Sequence, residues 1–189
     1  MKRIALVLII ALFVAVPVAG AQTYLWTVSN STTDPFSNSG PIAPGPSMFA
    51  GNLYLWLACA LGAPGMAAAE MDVVELRGGG APTGFSPLNG YLNAGSATAL
   101  LLAVGGCPSG FLVAGVFTVG PDAFLPDIEL CLVNSALNDR NITVACGGVG
   151  YQNNSIGFVK TGGGCSDTGE TCFTSLEPES WGRIKGLYR

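Results

Sequence analysis

From Tyr24 onward the apolar residues come in short runs alternating with polar or small ones, with Gly, Pro, Asn or Asp between nearly every pair of runs. Tyr24-Leu25-Trp26-Thr27-Val28 is rich in β-formers and predicts a first strand. Leu53, Leu55 and Leu57 alternate with Tyr54, Trp56 and Ala58, which predicts a strand with apolar side chains on both faces. Residues 66–76 contain three consecutive alanines, but Gly65 before them and Gly78-Gly79-Gly80 after them leave little room for a helix. The imperfect alternation of Glu70, Asp72 and Val74 against Met71, Val73 and Glu75 makes this segment a strand as well. Further strands are expected over 83–87, 98–104, 111–119, 127–133, 141–146, 156–160 and 171–174. In the 111–119 run a period of two places Phe111, Val113, Phe117 and Val119 on one face, with Gly115 between them.

Short strands separated by turn chemistry predict an all-β domain, specifically an antiparallel β-sandwich. Residues 30–47, with Pro35, Pro41, Pro44, Pro46 and many Ser, Thr and Gly, read as an extended loop or linker. The other end of the chain is different. In residues 179–189, Trp181, Ile184, Leu187 and Tyr188 share one helical arc, while Lys185 and Arg189 lie apart from it. Ser180 is a suitable N-cap, so a short closing helix with a buried Trp181 is expected, its basic last turn matching the helix dipole; the alternative is a docking tail for a partner or an anionic surface, with Trp181 exposed.

The apolar run over residues 4–18 follows Met1-Lys2-Arg3 and precedes Ala19-Gly20-Ala21. A charged start, an apolar stretch too short for a comfortable membrane span and small residues at the end predict an export signal cleaved after Ala21. The expected organisation is a signal peptide at 1–21, a strand and Pro/Ser-rich loop at 22–50, a β-sandwich at 51–178 and the basic amphipathic segment at 179–189. Export places the protein outside the cell or in the cell envelope, without a span once the signal is removed. Cleavage takes two of the eight bases and none of the twelve acids, so the mature net charge is −6. Three of the remaining bases, Arg183, Lys185 and Arg189, crowd the end of the chain, so the body sets only Arg77, Arg140 and Lys160 against all the carboxylates. Such a body has no basic stripe to bind phosphates, and a nucleic-acid partner is not expected.

Six cysteines in an exported chain predict three disulfides, and spacing favours Cys59–Cys107, Cys131–Cys146 and Cys165–Cys172. The chain has no histidine and no CxxC, so the usual zinc and dithiol-redox spacings are absent. Asp122, Asp127 and Glu129, near Pro121 and Pro126, are the candidate oxygen ligands for Ca²⁺; no other cofactor is expected. Glu70 and Asp72 share a strand face, with Glu75 nearby, and are the residues a carboxylate-dependent polysaccharide hydrolase would use. Trp26, Tyr54 and Trp56 are the candidate aromatic platform for a sugar or peptide. Asn30, Asn141 and Asn153 begin N-glycosylation sequons, meaningful only in a host that uses that pathway.

The stretches Gly51-Asn-Leu-Tyr-Leu-Trp-Leu, Gly65-Met-Ala-Ala-Ala-Glu-Met-Asp-Val-Val and Leu112-Val-Ala-Gly-Val-Phe-Thr-Val resemble cohesin-like sandwich domains, which have an early apolar strand, a small-residue segment running into an acidic-apolar strand, and an aromatic-Thr-Val strand end. The resemblance covers residues 50–135; the cysteines and the C-terminal third depart from it. It implies a cohesin-like or jelly-roll-like sandwich, non-catalytic, binding a protein on a sheet face. The expected function is therefore a secreted binding or structural surface module for a protein or polysaccharide partner. The alternatives are the carboxylate hydrolase and a small outer-membrane β-barrel.

Overall fold

The computed structural model describes residues 23–61, 65–78, 81–121 and 128–159. The export signal, Asp122 and Asp127, Cys165–Cys172, the 171–174 strand and the closing helix with Trp181 lie outside the described residues. The described chain forms twelve strands: β1 (Thr23–Ser29), β2 (Ala43–Pro44), β3 (Gly51–Leu61), β4 (Met66–Arg77), β5 (Pro82–Pro87), β6 (Leu92–Asn93), β7 (Ala99–Ala103), β8 (Leu112–Val119), β9 (Glu129–Val133), β10 (Ile142–Ala145), β11 (Gly150–Ile156) and β12 (Phe158–Val159). The all-β class and the disulfide stabilisation are as expected.

The strands join into one mixed, nearly barrel-shaped sheet, in the order β12-β9-β4-β10-β11-β1-β3-β8-β5, with β7 on the other edge of β4 and β6 beyond it. The sequence pattern leads to two stacked layers; what joins them is β11, which pairs antiparallel with β10 and parallel with β1. This strand escapes a hydrophobicity reading because its inward positions, Tyr151, Asn153 and Ser155, are polar. They share a face with the core residues Tyr24 and Trp26 through the pairings Tyr24↔Asn153 and Trp26↔Ser155.

Burial follows the pleat. Tyr24, Trp26 and Val28 of β1, Leu53, Leu55 and Leu57 of β3, Met71 and Val73 of β4, Leu100 and Leu102 of β7 and Phe117 and Val119 of β8 form one closed core. The expected phase of β8 holds only in its second half. A bulge pairs Leu55 with Gly115 but Trp56 with Val113, so Ala114 is skipped and the alternation shifts. Phe117 and Val119 stay inside and Ala114 becomes buried, whereas Val113 is only half-buried and Phe111 is exposed. Gly115 is required by close approach: a Cβ there would fall 2.2 Å from the Phe85 ring. That ring packs on Phe117 at a centroid distance of 4.8 Å.

Residues 30–47 are not a linker. Thr27 Oγ1 donates to the Pro35 carbonyl at 2.6 Å, Ser29 Oγ to the Asp34 carbonyl at 2.6 Å and Trp56 Nε1 to the Ser31 carbonyl at 3.0 Å, which lays the segment across the outer face of β1 and β3. Ile42 then enters the core and β2 pairs with the start of β3.

Cys107 is bonded to Cys146, with their Cα atoms 5.9 Å apart, so neither Cys59–Cys107 nor Cys131–Cys146 forms. Cys131 is also disulfide-bonded, and its bridge goes to neither of these two. The expected pairings assumed that neighbouring cysteines in sequence close hairpins. Here Cys131 and Cys146 follow each other along the same edge of β4, while the loop after β7 curls back to Cys146. Gly65, at φ +107°, makes room for this staple, since a Cβ would sit 2.6 Å from the Cys107 carbonyl oxygen. Its own carbonyl accepts from Cys146 N at 3.0 Å and from Tyr24 Oη at 3.0 Å. Burial, with Tyr151 alongside, raises the Tyr24 phenol above its usual range.

Two stability predictions follow from these contacts. The Cys107–Cys146 bridge spans 39 residues, and loop-closure entropy values such a bridge at about 4 kcal/mol. A Cys107→Ala/Cys146→Ala variant should lose about 2–4 kcal/mol in urea unfolding. Asn153→Leu removes the acceptor for the Thr143 hydroxyl and the donor to Asn141 Oδ1, leaving buried polar groups unpaired. At about 1–3 kcal/mol per orphaned group it should be more destabilising than its gain in hydrophobicity suggests.

Candidate functional site

The site builds outward from β4. Its inward residues Ala69, Met71 and Val73 belong to the core, so Ala68, Glu70 and Asp72 necessarily face out. Registers place their neighbours on that outer face. One row runs Leu92, Ala103, Ala68, Val144 across β6, β7, β4 and β10; the next runs Leu101, Glu70, Ile142 and Gln152. The small side chains of Ala68, Ala94 and Ala103 leave a depression flanked by Leu101, Ile142 and Val144, with Glu70 among its lining residues and a volume of 280 Å³. Leu92, beside Ala103 in the same row, is 69% exposed.

β9 and β10 together behave as one interrupted strand along β4. Val133 pairs with Asp72 and Ile142 with Glu70, so residues 134–141 leave the ladder as an excursion and return within two positions of β4. The acids hold this excursion down. Asp72 Oδ2 accepts from Ala136 N at 2.8 Å, and Glu70 Oε2 accepts from Asn138 Nδ2 at 3.0 Å. Glu70 Oε1 and Asp72 Oδ1 are buried and make no hydrogen bond to the described residues. Asn134 Nδ2 donates to Asp139 Oδ1 at 3.0 Å and Ser135 N to the Arg140 carbonyl at 2.7 Å, so the excursion is internally tied. Leu137 within it is 74% exposed.

A second depression, of 450 Å³, opens at the end of the sheet that carries the disulfide. It lies between the turn 88–91 and the loop 104–108 and is lined by Asn89, Gly90, Tyr91, Val104, Gly105, Gly106, Cys107 and Pro108. Burial raises the Tyr91 phenol above its usual range.

Comparison with protein families, with curated proteins and with solved structures finds no match to this chain. The assignment of a site therefore rests on geometry alone.

The sequence candidates fare unequally. Trp26 is fully buried and donates from Nε1 to Thr143 Oγ1 at 2.8 Å, so it cannot belong to a platform with Tyr54 and Trp56. Those two lie on the opposite face, where Trp56 is largely covered and bonded to the 30–47 segment. Glu129 is engaged by Arg77 in an ion pair at 2.6 Å, which competes with any role as a Ca²⁺ ligand. Glu70 and Asp72 do share a face, as expected, but the use made of them is to anchor a loop. Asn141 and Asn153 are buried in the core hydrogen-bond chain, so those sequons present no accessible amide in the folded protein. The sequence reading missed the alanine-floored groove. Its signal was present in Ala67-Ala68-Ala69 and Ala103, but small residues announce a depression only once the neighbouring strands are known.

Asp72→Ala should free the Ala136 amide and loosen residues 134–141. Hydrogen exchange at Ala136 and Asn138 should accelerate while exchange in β1 and β3 stays unchanged. Equal acceleration across the sheet would show instead that Asp72 supports the whole fold.

Proposed function

We propose that the protein is an exported, non-catalytic binding module whose outer sheet face docks a protein partner. The observation that carries this reading is the groove on β7, β4 and β10: half-exposed Leu101, Ile142 and Val144 around an alanine floor, with Leu92 beside it and a carboxylate, Glu70, among its residues. Contiguous apolar surface on a sheet face ringed by polar groups is the physical signature of a docking site. The matching partner segment presents apolar side chains beside a lysine or arginine, since the orphaned oxygen of Glu70 and an acidic body both favour a cation. A protein ligand on a sheet face is also what the cohesin-like resemblance implies.

The rival readings have less support. A transmembrane barrel turns apolar residues outward and fills its interior with polar ones; here Leu53, Leu55, Leu57, Met71 and Phe117 point inward, while Thr27, Ser29, Asn52 and Thr118 share the outer face of their strands. Among the described residues no helix is long and apolar enough to cross a membrane. A carboxylate hydrolase needs two acids facing one cleft, whereas Glu70 and Asp72 each spend one oxygen on the 134–141 excursion.

The test is affinity capture from the secreted and envelope fractions of the host, using the chain from Gln22 onward as bait. Ala103→Arg places a bulky cation in the groove from an exposed position, and Thr83→Arg does the same at an exposed site on β5. A ligand retained by the parent and by Thr83→Arg but lost from Ala103→Arg, with melting temperatures unchanged, is the expected outcome. Retention by all three, or by none, would remove the groove from the function.

A further inference from the structure

From the second depression, we infer that the disulfide end of the sheet carries a binding site for a neutral sugar unit. It is separate from the sheet-face groove and stands or falls independently of it. The site has a structural origin: β5 and β6 are consecutive in the chain, yet among the described residues β5 pairs with β8 and β6 with β7, and no ladder joins β5 to β6. The turn 88–91 and the loop 104–108 frame the depression, and its volume of 450 Å³ falls in the range of ligand pockets.

The lining defines the ligand. The described residues of the lining contribute no charged side chain, so nothing among them would pair with a phosphate, a carboxylate or an ammonium group. It offers apolar surface from the Tyr91 ring, Val104 and Pro108 alongside polar groups from Asn89, the Tyr91 hydroxyl and the glycine backbone. A sugar ring has the same two-sided character, with C–H faces that pack on an aromatic ring and hydroxyls that both donate and accept. Asn89 Nδ2 is committed to the Val113 carbonyl at 3.0 Å, which fixes the side chain and leaves Oδ1 as an acceptor. The Tyr91 hydroxyl makes no hydrogen bond to the described residues, although its ring packs against the core.

Gly105 and Gly106 strengthen the assignment. Neither has the positive φ that would demand glycine, and a Cβ added at either would meet nothing within 4 Å. The fold therefore does not need glycine at these positions, in contrast to Gly65 and Gly115. What the missing side chains preserve is open space and an approachable backbone in the wall of the depression.

The experiment titrates the chain from Gln22 onward with neutral tetrasaccharides of glucose, galactose, mannose and N-acetylglucosamine, and with a galacturonic acid tetrasaccharide as the charged control. Calorimetry and amide chemical shifts serve as readouts. Saturable binding of at least one neutral probe is expected, with shifts at Gly105, Gly106 and Tyr91. Gly106→Leu should weaken it at least tenfold, and Tyr91→Phe less. Should Gly106→Leu lower the melting temperature, the Gly105→Ala/Gly106→Ala pair replaces it, since both Cβ atoms enter open space and the melt should hold or rise; that pair should also weaken binding. The assignment is overturned if no neutral probe binds, if the uronic acid binds as well as any neutral probe, or if binding survives the glycine substitutions. Loss of sugar binding in Ala103→Arg alone would place the sugar in the sheet-face groove and overturn it too.

Discussion

The architecture depends on a buried chain of hydrogen bonds that crosses three strands. Trp26 Nε1 donates to Thr143 Oγ1, that hydroxyl donates to Asn153 Oδ1, and Asn153 Nδ2 donates to Asn141 Oδ1. Ser155 Oγ adds a bond to the Leu132 carbonyl. β11 brings polar side chains into an apolar interior, which is costly unless each finds a partner. The partners are available only if β1, β10 and β11 lie side by side in this register. The requirement thus selects the parallel β1–β11 pairing, and with it the joining of two groups of strands into one curved sheet. Polar networks of this kind specify a unique arrangement, because slipping the register by one residue would turn Asn153 outward and leave Thr143 and Asn141 unmatched.

The curvature of the sheet and its two depressions are linked. Where the network joins the strands, the sheet is continuous; on the far side no ladder among the described residues joins β5 to β6, and a depression opens at the disulfide end. The Cys107–Cys146 bridge holds that end by tying the loop after β7 to the end of β10. The outer groove arises from β4, the longest strand, which serves β7 along one edge and both β9 and β10 along the other. An eight-residue excursion is tolerated between β9 and β10 because Glu70 and Asp72 supply acceptors for it. Two acids on one strand face suggested chemistry in the sequence; in the folded chain they fix the loop that borders the alanine-floored groove.

The apolar strands were legible. β1, β3, β4, β5, β7, β8 and β9 all fall where alternation and turn residues put them, since their inward side chains are hydrophobic and the pleat imposes a period of two. β11 was not legible, because Gly150-Tyr-Gln-Asn-Asn-Ser-Ile has inward residues whose burial is justified only by partners far away in sequence. The bulge at Ala114 was equally hidden: nothing local in Leu112-Val-Ala-Gly-Val marks it, and it appears only when β3 is laid alongside.

The sequence by itself determined the β class, the acidic balance of the body and the use of cysteine bridges, because these depend on composition and on local periodicity. Tertiary structure alone decided which cysteines meet, that the 30–47 segment covers the sheet, that Trp26 leaves Tyr54 and Trp56 for the core, and that alanines from three separate segments form one groove floor. Each of these depends on which strands are neighbours. Neighbourhood was set here by pairing the hydrogen-bonding groups of β11, a constraint that acts across more than a hundred residues and leaves no mark in any short window of the chain.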